Sequence, residues 1–303
     1  MKSPLKIELR HLSQCPVCSR KERKRLFEIK DSLLYECTSC GLRYLDPCLS
    51  PEAMSSAYES DESLANFHEF HKGYYEYGDL TTKTKTLADF QRALKLLEKY
   101  IQSNSKSRVL FDVGFGNGLF LASAKQRGWT VSGSDTSPKN VELALNKFSL
   151  ELSCADFEDY DADGVLCDTV SFWDLIEHLP NPGKTLKKAY EMLKPRGFIL
   201  IGIPNDKSLL AMIATALYRI SCGRVKKGIE SIYFLEHVAY YNLKTLSELL
   251  KRNGFVLRDH FLTSTDLDKY ALPKFEKFIA RGILLAGKLL GFENRLVALF
   301  QKQ

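Results

Sequence analysis

The stretch RVLFDVGFGNGLFLASAKQRGWTVSGSD, from Arg108 to Asp135, has the pattern of a strand, a glycine loop, a helix and a second strand. Its first residues are β-branched, aromatic or otherwise apolar, which is typical of a buried strand. Gly114, Gly116 and Gly118 favour a loop, because glycine lets the backbone turn sharply and approach a ligand closely. The second strand ends at Asp135, whose carboxylate can accept both hydroxyl hydrogens of a ribose. The stretch therefore predicts a nucleotide-binding half of a doubly wound α/β fold.

The order of motifs carries a family resemblance. The glycine spacing is G-x-G-x-G, one residue shorter than the dinucleotide fingerprint, and Asp112 stands two residues before the first glycine. This resembles motif I of the class I S-adenosylmethionine-dependent methyltransferases. IEHLPNP at 176–182 and LKPRGFILIGIPN at 193–205 resemble the central part of the same family, so the resemblance covers about 109–261. It implies an α/β, Rossmann-like seven-stranded sheet with helices on both faces.

The resemblance also implies a set of residues around S-adenosylmethionine. Asp156 follows the third predicted strand, where the family holds the adenine amino group, although a solvated loop aspartate is the alternative. The full set of expected cofactor-binding residues is Asp112, Gly114, Phe115, Gly116, Gly118, Asp135, Thr136, Asp156, Phe157 and Trp173.

The loop after the fourth predicted strand is the candidate catalytic loop. It should face the glycine loop, because the first and fourth strands are neighbours where the strand order reverses. His178, with Glu177 beside it, and His237 are candidate general bases, since the pKa of histidine is near neutrality. Asp174, Glu177 and His178 could instead hold a divalent ion. Quinone-biosynthesis O-methyltransferases resemble this loop but have Glu in place of Asp174, and we favour no metal. A metal-bound histidine cannot also be the base, so the two proposals exclude each other.

Two cysteine pairs predict an N-terminal metal site. Cys15, Cys18, Cys37 and Cys40 form two C-x2-C turns separated by 18 residues, which fits a tetrahedral zinc site. Segments 26–29 and 33–35 between them could pair as strands, and the whole resembles a zinc ribbon. Thiols without a metal are the alternative. We expect zinc loss to unfold 1–45 and to spare the rest. The remaining cysteines are expected to be buried apolar fillers: Cys48, Cys154, Cys167 and Cys222.

The chain divides into three predicted parts. These are a zinc-ribbon-like module at 1–46, a helical, aromatic-rich connector at 47–107, and a class I methyltransferase domain at 108–303 with helical insertions at 206–235 and 266–292. The connector should contain an amphipathic helix at 86–100. Its aromatic patch either lines a substrate cleft or packs, and comprises Tyr58, Phe67, Phe70, Tyr74, Tyr75 and Tyr77.

Composition indicates an ordinary globular protein with a locally basic N-terminus. The 303 residues are 45% hydrophobic and 26% charged. We see no signal-peptide pattern and no run of about 18 apolar residues, and the eight cysteines favour a reducing, cytoplasmic location. The net charge of +6 is matched by residues 1–30 alone, which hold nine Lys or Arg and three Glu.

Three functions are compatible with these features. The first, which we favour, is O- or C-methylation of a small molecule or sugar, in polysaccharide, quinone or natural-product biosynthesis. The second is an RNA methyltransferase that uses the basic ribbon, but the fourth strand lacks an N-P-P-Y-type ending, so a nucleic acid partner is not expected. The third is a binding module without catalysis, against which the intact glycine motif argues.

Segments 209–220 and 278–290 could form a lid and a packing helix, or contact a membrane peripherally. The oligomeric state is left open.

Overall fold

The structure is a computed structural model that describes residues 8–50, 53–54, 78–101 and 108–303. The predicted aromatic patch of the connector, Tyr58 to Tyr77, lies outside the described residues.

The N-terminal module is built from short antiparallel strands. Its strands are β1 (Leu9–Arg10), β2 (Arg23–Ile29), β3 (Ser32–Cys37), β4 (Arg43–Asp46) and β5 (Cys48–Leu49). Strands β2, β3 and β4 pair in sequence order, and β1 pairs with β5. The predicted hairpin is present, and pairing within the module extends to residue 49.

The rest of the described chain alternates between helices and strands. The elements are α1 (Lys85–Tyr100), β6 (Arg108–Val113), α2 (Leu119–Gln126), β7 (Trp129–Asp135), α3 (Pro138–Phe148), β8 (Ser153–Cys154), β9 (Cys167–Trp173), α4 (Pro182–Met192), β10 (Leu193–Pro204), α5 (Leu209–Ile220), α6 (Lys227–Glu230), β11 (Ala239–Tyr240), α7 (Leu243–Arg252), β12 (Phe255–Thr263), α8 (Lys274–Leu290) and β13 (Arg295–Lys302). The third strand of the predicted sheet, which precedes Asp156, is the two-residue β8.

Seven of these strands form one mixed sheet in the order β12-β13-β10-β9-β6-β7-β8. Strand β13 runs antiparallel to both of its neighbours, whereas β10, β9, β6, β7 and β8 are parallel. The order reverses between β6 and β9, so the loops that follow these two strands meet at one edge. The predicted seven-stranded Rossmann-like fold is confirmed.

Side chains alternate between the two faces of this sheet, and each face has its own apolar core. Leu110 and Leu200 pack with α1 and α2 residues such as Leu94. Their neighbours Phe111 and Ile199 point the other way, into a cluster with residues of α4 and α7. The sheet is therefore buried on both sides, as the continuous apolar runs of its strands predict.

The N-terminal module shares its core with the main domain. Strand β11 pairs antiparallel with β4, so a segment of the main domain completes the sheet of the module. The N–H of Leu45 donates to the carbonyl of Val238 over 2.9 Å. The guanidinium of Arg43 donates to Tyr233 over 2.8 Å and pairs with Asp206 over 3.2 Å. This arrangement argues against the expectation that residues 1–45 unfold by themselves.

Two further observations concern the cysteines and the helices. Cys48 and Cys167 are buried as expected, but Cys154 and Cys222 are exposed, so the prediction that they fill the core is wrong. Cys154 is the last residue of β8, and Cys222 lies in the turn after α5. None of the helices in the described ranges combines the length and apolarity that a bilayer crossing needs.

Candidate active site

The three glycines of the loop after β6 have different structural roles. Each has a positive φ, at +65° for Gly114, +56° for Gly116 and +80° for Gly118. A Cβ on Gly118 would lie 2.9 Å from the Cβ of Ala144, so this glycine lets α2 start against α3. A Cβ on Gly116 would meet no atom within 4 Å, which leaves open space beside the backbone where a ligand can approach.

Asp135 ties the loop to the end of β7. Its Oδ2 accepts a hydrogen bond from the N–H of Gly116 over 2.9 Å. Its Oδ1 accepts bonds from the N–H of Ser137 over 2.9 Å and from Nδ2 of Asn140 over 3.1 Å. Burial raises the pKa of this carboxyl, and the three donors oppose that effect. Oδ1 already accepts two hydrogen bonds, whereas Oδ2 accepts one and retains a lone pair for a further hydrogen bond.

Asp112 lies behind the glycine loop, on the side away from the cavity. It is buried and does not line the cavity, and its Oδ1 accepts a hydrogen bond from Oγ of Ser171 over 2.6 Å. Burial, with the nearby charge of Asp135, raises the pKa of Asp112 to about 8. Gly118 also lies off the cavity wall. These two predicted cofactor-binding residues are therefore placed behind the others.

Three predicted residues lie on the wall nearest the ends of β7 and β8. Thr136 and Asp156 are exposed at the cavity, and Oδ1 of Asp156 accepts a bond from the N–H of Glu158 over 2.7 Å. Phe157 is buried, and its ring lies 5.7 Å from that of Phe111. Together they form an apolar surface edged by one carboxylate.

Trp173 forms the opposite side of the cavity, at the end of β9. Its ring packs 4.7 Å from Phe90 and 5.1 Å from Phe120. A Cβ on Gly202 would lie only 2.2 Å from the Trp173 ring, so β10 needs glycine at this position. The indole Nε1 is buried and has no hydrogen-bond partner among the described residues.

These walls enclose a cavity of about 930 Å³. It runs from Gly114, Gly116 and Asp135 past Trp173 to His178 and His237. Its volume lies in the upper part of the range of about 300–1,000 Å³ for small-molecule and cofactor sites. The nucleotide-binding loop and the candidate bases therefore face one shared space.

His178 and His237 lie side by side, although 58 residues separate them in sequence. Their ring centroids are 4.6 Å apart in an edge-to-face arrangement. Nδ1 of His178 lies 2.6 Å from the carbonyl oxygen of Glu236, so Nδ1 carries the proton and Nε2 carries the lone pair. Burial lowers the pKa of His178, against the opposing effect of that carbonyl. The imidazole is therefore neutral at neutral pH.

Glu177 lies beside both histidines. Atoms of Glu177, His178 and His237 that could bind a metal all lie within 4.8 Å of one another. The Glu177 carboxylate is buried, and neither of its oxygens has a hydrogen-bond partner among the described residues. Burial and the charge of Asp174 hold its pKa well above the usual range. The three side chains could hold a divalent cation or perform acid–base chemistry.

Asp174 is not part of this group. Its Oδ1 accepts a hydrogen bond from the guanidinium of Arg295 over 2.6 Å. Its φ is +50°, which turns the chain between β9 and the 3₁₀ turn at Ile176–His178. The metal set considered from sequence, Asp174 with Glu177 and His178, is therefore not brought together, and His237 takes the place of Asp174.

The four predicted metal-binding cysteines converge in the N-terminal module. The Sγ atoms of Cys15 and Cys40 are 3.6 Å apart, and those of Cys18 and Cys37 are 3.5 Å apart. All four sulfurs lie within 4.8 Å of one another. Tetrahedral zinc with Zn–S bonds of about 2.3 Å places its sulfurs roughly 3.8 Å apart, so the geometry suits this metal.

Several contacts at the site were missed by sequence reasoning. Asn140 holds Asp135, Ser171 holds Asp112, and Arg295 holds Asp174. Lys269 also lines the cavity, and burial lowers its pKa to about 8. Asn140 lies only five residues after Asp135, in the first turns of α3, whereas Ser171 and Arg295 reach their partners through the sheet order, which no local pattern shows.

The strand order and the glycine loop define the fold of the class I S-adenosylmethionine-dependent methyltransferases. A family model described as a methyltransferase domain matches residues 86–260. This is more than half of the chain, and the chain belongs to this family. The prediction of such a methyltransferase is confirmed at the level of fold and family.

Curated relatives share part of the chain. The ubiquinone biosynthesis O-methyltransferase of Coxiella burnetii is 29% identical over 132 residues, 41% of this chain and 56% of that protein. The enzyme with the same name from Neisseria meningitidis serogroup A is 30% identical over 156 residues, 47% of this chain and 64% of that protein. The match thus spans less than two thirds of either relative.

Solved structures share the fold. The magnesium protoporphyrin IX methyltransferase of Synechocystis, with bound S-adenosylhomocysteine, gives a TM-score of 0.53 at 17% identity and covers 84% of this chain and 100% of its own. The plantazolicin methyltransferase, with the same ligand, gives a TM-score of 0.52 at 17% identity. The match covers 83% of this chain and 96% of that protein. At this identity, the likeness concerns the fold alone.

Proposed function

We propose that the protein transfers the methyl group of S-adenosylmethionine to a hydroxyl oxygen of a small molecule. The observation that carries this proposal is the shared cavity, which joins the loop of Gly114 and Gly116 to a neutral, oriented His178. A phenol of a quinone precursor or a sugar hydroxyl is the acceptor class we favour. The names of the curated relatives support the phenol.

The residues at the glycine loop fit this cofactor. Open space beside Gly116 suits close approach of a ligand, and Oδ2 of Asp135 can accept one further hydrogen bond, from a ribose hydroxyl. Phe157 offers an apolar surface for the adenine, with Asp156 placed to accept from its amino group. When bound, S-adenosylmethionine supplies an electrophilic methyl group on a sulfonium ion. The protein's own task is to orient the acceptor and to manage its proton.

His178 is proposed as the general base. Its Nδ1–H stays on the carbonyl of Glu236, while Nε2 accepts the hydroxyl proton as the new oxygen–carbon bond forms. Because burial lowers its pKa, the ring releases that proton to solvent at neutral pH and is ready again. His237, whose ring contacts that of His178 at 4.6 Å, lines the cavity beside the base and confines the acceptor from the same side. Such a base typically contributes about 10²–10⁴-fold to the rate.

Glu177 is proposed to remain protonated beside the two histidines. A neutral carboxyl group can donate a hydrogen bond to the acceptor or to an imidazole, which an ionised carboxylate cannot do. The raised pKa of Glu177 supports this role. A divalent ion would instead ionise Glu177 and occupy His178, so the metal proposal and the base proposal still exclude each other.

We propose that Cys15, Cys18, Cys37 and Cys40 hold one structural zinc. The spacing of their sulfurs supports this proposal.

The RNA alternative is not favoured, because basic residues of the module have acidic partners within the fold. Arg23 pairs with Asp46 over 2.6 Å, and Arg43 pairs with Asp206 over 3.2 Å.

Titration calorimetry with S-adenosylmethionine, followed by methyl-transfer assays, tests the function. Binding and turnover on catechols or reducing-sugar acceptors support the proposal. Absence of binding by the zinc-loaded wild-type protein would overturn it. Activity that chelators abolish and that magnesium restores would favour the metal instead of the base, and Cys18→Ser separates that effect from zinc loss.

A further inference from the structure

Helix α8 separates the cavity from the surface of the molecule. Its residues Glu276, Ala280 and Leu284, spaced four apart, line the cavity. Its far side carries large apolar side chains at helical spacing that are strongly exposed. They are Phe275 (73%), Phe278 (75%), Ile279 (46%), Leu285 (60%), Leu289 (79%) and Leu290 (61%). An isolated exposed apolar residue is ordinary, whereas a contiguous stripe along one helix marks an interaction surface.

A second row of side chains on α8 is basic. Lys274, Lys277, Arg281 and Lys288 follow one another at intervals that keep them on one flank of the helix. Lys277 and Arg281 pair with Asp268 over 2.8 and 3.1 Å, so the flank's unpaired charge among the described residues comes from exposed Lys274 and Lys288. Helix α5 packs beside α8, and the N–H of Leu209 donates to the carbonyl of Phe292 over 2.9 Å. The α5 segment adds exposed Leu217 and Ile220, and the chain beyond it is basic at Arg224 and Lys226, while Lys227 pairs with Glu276 of α8 over 2.6 Å.

We propose that this outer face of α8 seats the protein on an anionic membrane surface. An amphipathic helix with a basic flank lies in the interface with its apolar side among the acyl chains. Helix α8 has 17 residues, about 26 Å, and Arg281 and Lys288 interrupt it, so it suits lying in the interface rather than crossing the bilayer. A second copy packed antiparallel through this face fits less well, because the two basic flanks would approach each other.

The position of the helix gives this surface a consequence for the substrate. With one face in the bilayer and the opposite face on the cavity, α8 places the methyl-transfer site next to the lipid. The acceptor class is then an amphipathic molecule dissolved in the membrane, such as a phenol or sugar with a long apolar tail. This part of the inference rests on the proposed function, whereas membrane seating does not.

Vesicle flotation tests the seating without any need for catalysis. The wild-type protein should float with phosphatidylcholine vesicles that contain phosphatidylglycerol and should remain unbound with phosphatidylcholine alone. Phe278→Ser with Leu289→Ser should reduce partitioning at least about tenfold, since each lost aromatic or leucine insertion weakens it severalfold. Lys274→Gln with Lys288→Gln should reduce it by roughly fivefold per charge at low salt. Leu145→Ser, at an apolar site on α3 that is 48% exposed, is the control.

Three outcomes would overturn the proposal. These are no flotation of the wild type, equal flotation of the Phe278/Leu289 variant, and a concentration-dependent dimer that this variant abolishes. The last result would assign the face to a second copy. Calorimetry with S-adenosylmethionine on the same samples keeps the two proposals apart, because loss of membrane seating leaves cofactor affinity unchanged.

Discussion

His178 differs from the other histidines of the described chain in how it is held. The carbonyl of Glu236 fixes its tautomer, and burial lowers its pKa, so orientation and charge state both follow from the fold. The chain that supplies this carbonyl is itself anchored, because the N–H of Val238 donates to the carbonyl of Glu177 over 2.8 Å. The two candidate bases are therefore positioned by each other's loops.

Replacing His178 by alanine should lower kcat by about 10²–10⁴-fold while S-adenosylmethionine affinity changes little. The wild-type rate should hold through pH 6.5, the usual pKa of histidine, and fall only at lower pH, because burial lowers the pKa of His178 and only its protonated ring cannot accept a proton. His260→Ala, at an exposed position on β12, should leave kcat unchanged. Unchanged turnover in both His178→Ala and His237→Ala would reject base catalysis and leave proximity as the mechanism.

Asp135→Ala should weaken S-adenosylmethionine binding by about 1.5–3 kcal/mol, the range for hydrogen bonds to a charged group. Asp135→Asn should be intermediate, since it keeps one oxygen for the N–H groups of Gly116 or Ser137. Calorimetry measures both variants, with exposed Glu151→Ala as the control. Equal affinity in wild type and Asp135→Ala would contradict the assigned ribose contact.

At the scale of elements, the strands and their order are the part that the sequence could predict. The apolar runs of β6, β9 and β10 predict strands buried on both faces. The pattern at 295–301 predicts a last strand antiparallel to 255–261, as β13 is to β12. These predictions succeed because they depend on local pattern and on the ordered motifs. The predicted helix at 86–100 is α1.

The partners of the site residues could not be predicted in the same way. Arg295 reaches Asp174 across 121 residues of sequence, and Asp174 looked equivalent to Glu177 in the loop. Two features keep Asp174 from joining Glu177 and His178 as a metal ligand. These are the position of β13 in the sheet and the positive φ of Asp174 itself. The burial of Asp112 behind the cavity likewise depends on the packing of β6 against β9.

The close packing of Gly202 on β10 against Trp173 on β9 can be tested by mutation. Gly202→Ala should destabilise the fold by about 1–3 kcal/mol, the usual cost of overpacking, and should weaken cofactor binding by displacing Trp173 from the cavity wall. Gly282→Ala is the matched control, because a Cβ there meets no atom within 4 Å. That variant should gain about 0.5–1 kcal/mol from the helix propensity of alanine. Urea unfolding compares the two, and equal stabilities would refute the packing argument.

At the scale of the whole molecule, the N-terminal module belongs to the methyltransferase domain. Cysteines and apolar residues of the module share one core cluster with Phe111, Ile199 and residues of α7. A second cluster joins Phe27, Ile29 and Leu45 of the module to Ala214 and Tyr233 of the main domain. Cysteine spacing shows the metal site but gives no sign that β11, about 200 residues later, completes the sheet of the module.

This shared core predicts that zinc loss destabilises the whole protein. Both tryptophans, Trp129 and Trp173, lie in the main domain, so their fluorescence reports on that domain alone. Chelation, or Cys18→Ser, should lower the tryptophan-detected Tm by about 5–10 °C, because loss of a few kcal/mol shifts a domain of this size by roughly 2–4 °C each. It should also lower kcat, since β4 is paired with the segment that follows His237. Cys154→Ser and Cys222→Ser, at exposed positions, should change neither quantity. A tryptophan transition that stays in place while far-ultraviolet circular dichroism shows loss of the module would mean that residues 1–45 unfold independently.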